Sequence, residues 1–217
     1  MKPDDFRFNL LKGFCILGVV CIHFGGSFVR RDNVWTDSFY LGLGLNQFFS
    51  FAVPTFIFLS GWLLQMTYGS CTLDWKAFYR RRLIKLGIPY LLVTVAYFVF
   101  FRETWIIQQL TVENFLPRFL YYGIEPTLYF VPLIFQLYLL FPLLKKMDDR
   151  IDSGKDTNGS IQRGSGVLGL FFLLHIVIGY LAYTGVINYH WLCLRFFAFW
   201  LFYFYAGMQF RRLWTHI

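Results

Sequence analysis

Six long apolar stretches, at about 10–28, 47–64, 83–101, 128–144, 167–186 and 191–210, leave this chain few ways to fold. Each has roughly the length that an α-helix needs to cross ~30 Å of hydrocarbon. A backbone inside a bilayer has no water to bond, so each stretch must satisfy its own N–H and C=O groups, as a helix does. With 57% of its 217 residues hydrophobic and 15% charged, the chain could not hide its apolar surface as a water-soluble domain. The expected fold class is all-α, a polytopic membrane helical bundle of about six transmembrane helices.

The charges sit between the apolar stretches, as membrane topology requires. That placement, rather than the net charge of +8, decides against nucleic acid as a partner and leaves the lipid bilayer as the expected one. Of the 20 lysines and arginines, fifteen fall on one side of a six-crossing topology. The opposite side holds Arg30, Arg31, Arg102, Arg118 and Arg195. The cationic side is expected to be cytoplasmic, which puts both termini there. Cys15, Cys21, Cys71 and Cys193 have neither metal-ligand nor disulfide-framework spacing, so no metal site is expected. The first apolar stretch is long enough to span and reads as retained rather than as a cleaved leader.

Two connecting segments stand out. Residues 103–123 mix Phe115, Phe119, Tyr121 and Tyr122 with polar residues, and read equally as an interfacial helix or as a plain outer loop. Residues 147–166 are polar and rich in Gly and Ser, and read as a flexible cytoplasmic loop. No internal repeat is evident.

The first stretch carries Lys12 near its start and His23 in its second half. Eleven helical steps are about three turns, an advance of roughly 16 Å that returns to nearly the same face. An ionisable residue inside a membrane is costly and normally faces a cavity or a partner. An imidazole there can act as a general base near neutral pH, taking the proton of an alcohol as it attacks an acyl carbonyl. The plainer reading is a histidine bonded to a neighbouring helix, with Lys12 a lysine that snorkels to the headgroups. Arg80, Arg81 and Arg82, followed by Lys85, either anchor the third crossing or clamp phosphate through their planar forks. Ser60 and Gly61 mark a close helix contact, or a serine bonded back to its own helix. Pro54 and Pro89 are expected to kink or start helices. His175 sits in the fifth stretch with no charged partner in sequence, and His190 and Arg195, near the outer end of the sixth, could face an acceptor, with packing the plainer reading. The chain has no His-Glu-x-x-His zinc motif, no GxSxG elbow and no Walker loop.

Several of these stretches together resemble the acyltransferase 3 family of bacterial membrane O-acyltransferases. Lys12 and His23 match its Arg/Lys-x10-His pattern, and FAVPTFIFLSGWLL (51–64) its FFxxSG segment. FYRRRLIKLGIPYLL (78–92) resembles the basic start of its third helix, and LYFVPLIFQLYLLFPLL (128–144) a later aromatic one. FYFYAGMQFRR (202–212) is similar to the end of another. Ile57 departs from the pattern at its second Phe, and Thr127 stands where many members have His.

The resemblance implies transfer of an acyl group, usually acetyl, from cytoplasmic coenzyme A to a hydroxyl of a cell-surface or lipid-linked glycan. It implies a bacterial plasma membrane location, with acetyl-CoA or another acyl-CoA as donor substrate and no permanently bound cofactor. His23 then corresponds to the catalytic histidine, Lys12 to its cationic partner, and Arg80, Arg81 and Arg82 with Ser60 to the donor-binding group. The stretches match the first six crossings of a longer family pattern. The expectation is therefore an incomplete domain over residues 1–217, with further helices or a second chain as partner. The competing readings are a polysaccharide exporter, which would move substrate without acyl-CoA, and an inactive remnant of the enzyme.

Overall fold

In the computed structural model the residues described are 6–31, 34–100, 111–117, 119–120, 126–152, 157–187 and 195–214. Among them there is no strand. The helices are α1 (Phe6–Arg31), α2 (Asp37–Phe48), α3 (Ala52–Tyr68), α4 (Trp75–Arg82), α5 (Ile88–Phe100), α6 (Val112–Pro117), α7 (Phe130–Asp152), α8 (Thr157–Tyr183) and α9 (Phe197–Trp214). A 3₁₀ turn, Phe49–Phe51, joins α2 to α3, and a π-helical turn, Leu83–Gly87, joins α4 to α5.

Five continuous spans are long and apolar enough to cross a membrane: Phe8–Arg31, Asp37–Tyr68, Trp75–Phe100, Phe130–Asp152 and Gln162–Tyr183. They account for five of the six expected crossings. The sixth stretch is helical from Phe197 onward, but beyond Met208 it carries Gln209, Arg211 and Arg212. The described apolar part of it, 197–208, is shorter than the ~20 residues that a crossing helix needs. Residues 191–194 of that stretch, and His190, lie outside the described residues.

Two boundaries differ from expectation. The second span starts at Asp37, ten residues before position 47, because Thr36 caps it: its hydroxyl accepts from the Phe39 amide at 3.3 Å, and Asp37 sits in the first turn. The polar segment 147–166, expected as a flexible loop, is mostly helical. α7 continues to Asp152, held by an ion pair one turn apart between Lys145 Nζ and Asp149 at 2.7 Å, and α8 begins at Thr157. Residues 153–156 lie outside the described set, as does most of 103–123, where α6 is a six-residue helix.

The chain forms two compact units, Met1–Ser70 with Tyr203–Ile217, and Cys71–Phe202. In the first, α1 lies against α2 and α3, and the backbones come unusually close at glycines. A Cβ on Gly25 would strike the Gly42 carbonyl, and one on Gly42 would strike that of Gly25. The same reciprocity ties α3 to the later part of α9: a Cβ on Gly61 would collide with the Phe204 carbonyl, and one on Gly207 with that of Phe58. Small residues let membrane helices approach in this way, so that dispersion replaces the missing hydrophobic drive. Around the contact Phe8 packs edge-on to Trp62 at 4.7 Å and Trp62 to Phe210 at 4.8 Å, with Cys15 and Leu59 buried beside them. Arg211 closes the end of α3, donating to the Gln65 carbonyl at 2.8 Å and to Ser70 Oγ at 2.8 Å.

In the second unit, α4 is anchored on α7 by Phe78, which is buried against Phe141 at 5.4 Å. Tyr79 Oη donates to the Leu139 carbonyl at 3.0 Å. Pro142 lacks an N–H and leaves the neighbouring Tyr138 carbonyl without its ladder bond. Pro89 has the same effect on the Lys85 carbonyl, and the π turn at Leu83–Gly87 absorbs the mismatch.

Candidate active site

Because α1 is unbroken, Lys12 and His23 keep the relation that eleven helical residues impose, about 16 Å along the axis and about 20° around it. The buried positions Phe8, Cys15, Gly18 and Gly25 mark the side of α1 that faces protein. Leu10, Phe14, Leu17, Val20 and Phe24 mark the exposed side. Lys12 and His23 are both half-buried and lie on one flank of the protein-facing side. Gly18 and Gly25 lie on the other flank, about 120–160° away. There Gly18 meets Ala52 and Phe49, and Gly25 meets Gly42. The cation and the imidazole thus share one half-buried face at the border between the two sides, with half-buried Val19 and exposed Ile16 between them along the helix. His23 has an interaction partner within the protein.

Ser60 is buried on α3, beside the Gly61 contact. Its hydroxyl donates to the Phe56 carbonyl of its own helix at 2.9 Å. The local bond expected of a membrane serine is therefore present, and only the oxygen lone pairs are left for a ligand.

Arg80, Arg81 and Arg82 form the last turn of α4, in the other unit. Consecutive helical positions fan out by about 100° each, so three forks cannot point one way. Arg82 turns toward protein, its guanidinium 5.4 Å from the Phe78 ring and 5.0 Å from that of Tyr138. Such stacking suits arginine and holds the fork in place. Arg80 and Arg81 are exposed and are the two presented outward.

The histidine of the fifth stretch is a packing residue. His175 Nδ1 lies 2.8 Å from the Phe199 carbonyl, and its ring lies 4.1 Å from that of Phe199. A carbonyl can only accept, so the proton is on Nδ1. Sequence reasoning passed over Gln136, whose side chain serves the start of α9 at both ends. Nε2 donates to the Arg195 carbonyl at 3.0 Å and Oε1 accepts from the Phe197 amide at 3.2 Å. A glutamine on an apolar helix is the only trace of that role, since the orphan donor it satisfies is sixty-one residues away.

The family model of an acyltransferase domain matches residues 5–217. No curated protein and no solved structure matches the chain. The match takes in every helix from α1 to α9, and this multi-pass membrane protein belongs to the acyltransferase 3 family.

Proposed function

We propose that this chain is an O-acyltransferase of the bacterial plasma membrane that moves an acetyl group from cytoplasmic acetyl-CoA to a hydroxyl of a cell-surface or lipid-linked glycan. The observation that carries the reading is the pairing of Lys12 and His23 on one half-buried flank of an uninterrupted spanning helix, in a chain of an acyltransferase family.

The chemistry needs few groups. His23 takes the proton of the acceptor hydroxyl as its oxygen attacks the thioester carbonyl. The tetrahedral intermediate collapses with loss of the coenzyme A thiolate, which takes up the proton now held by His23. The acyl–oxygen bond forms, the acyl–sulfur bond breaks, and the base is restored. Lys12, three turns away on the same flank, attracts the anionic donor toward the base. Arg80 and Arg81 are the exposed forks of the other unit and are suited to the donor phosphates.

Membranes from cells expressing the chain, supplied with [¹⁴C]acetyl-CoA and the host glycan, should incorporate label. His23→Ala should lower incorporation by about 10²–10⁴-fold, the usual effect of losing a general base. Incorporation by His23→Ala equal to that of the unaltered chain, at equal protein level, would remove the proposed base.

A further inference from the structure

Two clefts lie along one side of α7. The first, of about 610 Å³, is bounded by Leu83, Gly87, Tyr90, Pro132, Phe135 and Leu139, and its lining is almost wholly apolar. The second, of about 460 Å³, is bounded by Leu143, Lys146, Met147, Arg150, Ile151 and Arg163. It brings together three cations and includes no carboxylate among its described lining residues. On α7 the positions that line the two clefts run 132, 135, 136, 139, 143, 146, 147 and 150. That is the three-and-four spacing of one helical face. The cationic cleft therefore continues the apolar one along the helix toward its polar end.

From the structure we infer that this face holds an anionic phospholipid, with its phosphate between Lys146, Arg150 and Arg163 and its acyl chains in the apolar cleft. Length supports it. Fourteen residues from Pro132 to Lys146 rise about 21 Å. One leaflet with its headgroup layer is about 20–22 Å thick. The apolar cleft lies between two spans of the membrane-crossing set, and Leu83, Leu91 and Leu139 on its rim are more than half exposed. In a bilayer, what covers such a rim is hydrocarbon. Charge also favours it, since basic pockets at the ends of spanning helices hold anionic headgroups. Asp149, beside this face, is engaged by Lys145, and Arg163 is steadied by a bond to the Ile151 carbonyl at 3.3 Å. The inference is independent of the acyl-transfer chemistry.

The test is lipid retention by the intact chain, purified from mixed phosphatidylglycerol/phosphatidylcholine membranes and read by native mass spectrometry. Each cation near an anionic surface contributes about fivefold. Phosphatidylglycerol should therefore be retained at least about tenfold over phosphatidylcholine, and the preference should shrink at high salt. Lys146→Gln with Arg150→Gln and Arg163→Gln should bring the ratio near one. Leu139→Trp, which fills the apolar cleft and keeps the cations, should lower retention of both lipids. A melting curve in phosphatidylcholine shows whether each variant is folded, and single Lys146→Gln or Arg163→Gln variants replace the triple one if it is not. Equal retention of the two lipids by the unaltered chain would overturn the proposal, as would an unchanged ratio in folded glutamine variants. Full displacement by millimolar inorganic phosphate or free coenzyme A, with no effect of Leu139→Trp, would assign the cations to a soluble phosphate instead and overturn it too.

Discussion

Replacing Gly61 by alanine tests the contact between α3 and α9 most directly. The new methyl would collide with the Phe204 carbonyl, a backbone atom that cannot swing aside. The helices must then part locally by about an ångström, and a gap of that size forfeits a quarter to a half of each atom pair's ~0.1–0.2 kcal/mol. Phe58, Trp62, Phe204, Met208 and Phe210 meet there and supply some tens of such pairs. Their loss comes to about 1–3 kcal/mol, the usual cost of overpacking. For a chain of this size that lowers the melting temperature by roughly 3–10 °C. Gly13 supplies the control. It lies in α1 with nothing near its Cβ position, so Gly13→Ala should be neutral or stabilise by about 0.5–1 kcal/mol through helix propensity alone. Thermal unfolding in detergent, followed by tryptophan fluorescence, separates the two signs. Gly207→Ala should cost about as much as Gly61→Ala, and the double variant less than their sum, because helices already parted leave room for the second methyl. Equal melting temperatures for Gly61→Ala and Gly13→Ala would refute the reasoning.

Arg211→Met removes two charge-assisted bonds that close α3, and should cost about 1–3 kcal/mol in the same unfolding assay, whereas Phe210 and the glycine contact remain. Thr36→Ala should cost about 1 kcal/mol and fray the start of α2, seen as faster amide exchange at Phe39. Gln136→Leu strands the Phe197 amide and the Arg195 carbonyl. It should speed exchange in the first turn of α9 and destabilise by about 1–3 kcal/mol, while Gln136→Glu, which keeps the acceptor, should preserve the Phe197 bond.

Much of the fold was legible because a bilayer allows so few solutions. Five apolar stretches became spanning helices close to where composition placed them, and the Lys12/His23 phase followed from counting turns along one unbroken helix. Features that depend on a second segment were harder to read. Gly42 and Gly44 dilute the apolar pattern of α2, so its start was missed; only the partner Gly25 explains why a glycine belongs there. The polar residues after Met147 look like a linker until Lys145 and Asp149 are seen as a pair one turn apart. Ser60 bonds back to its own helix as its setting suggests, but the α9 backbone that Gly61 admits lies far along the chain. Arg80, Arg81 and Arg82 read as one cluster in sequence, and helical fanning separates Arg82 from the other two.

The wide turn at Leu83–Gly87 also governs how the third span should be numbered. It inserts one residue's worth of winding, so every position after it is rotated by about 100° from where a straight cylinder would put it. Tyr90 reaches the Phe119 carbonyl at 2.8 Å from that rotated setting. Deleting a single residue within the turn would restore ordinary winding and swing Tyr90 away from that carbonyl. A length change of one here is therefore a change of facing for the whole of the span after the turn, and relatives should be aligned across it by orientation rather than by count.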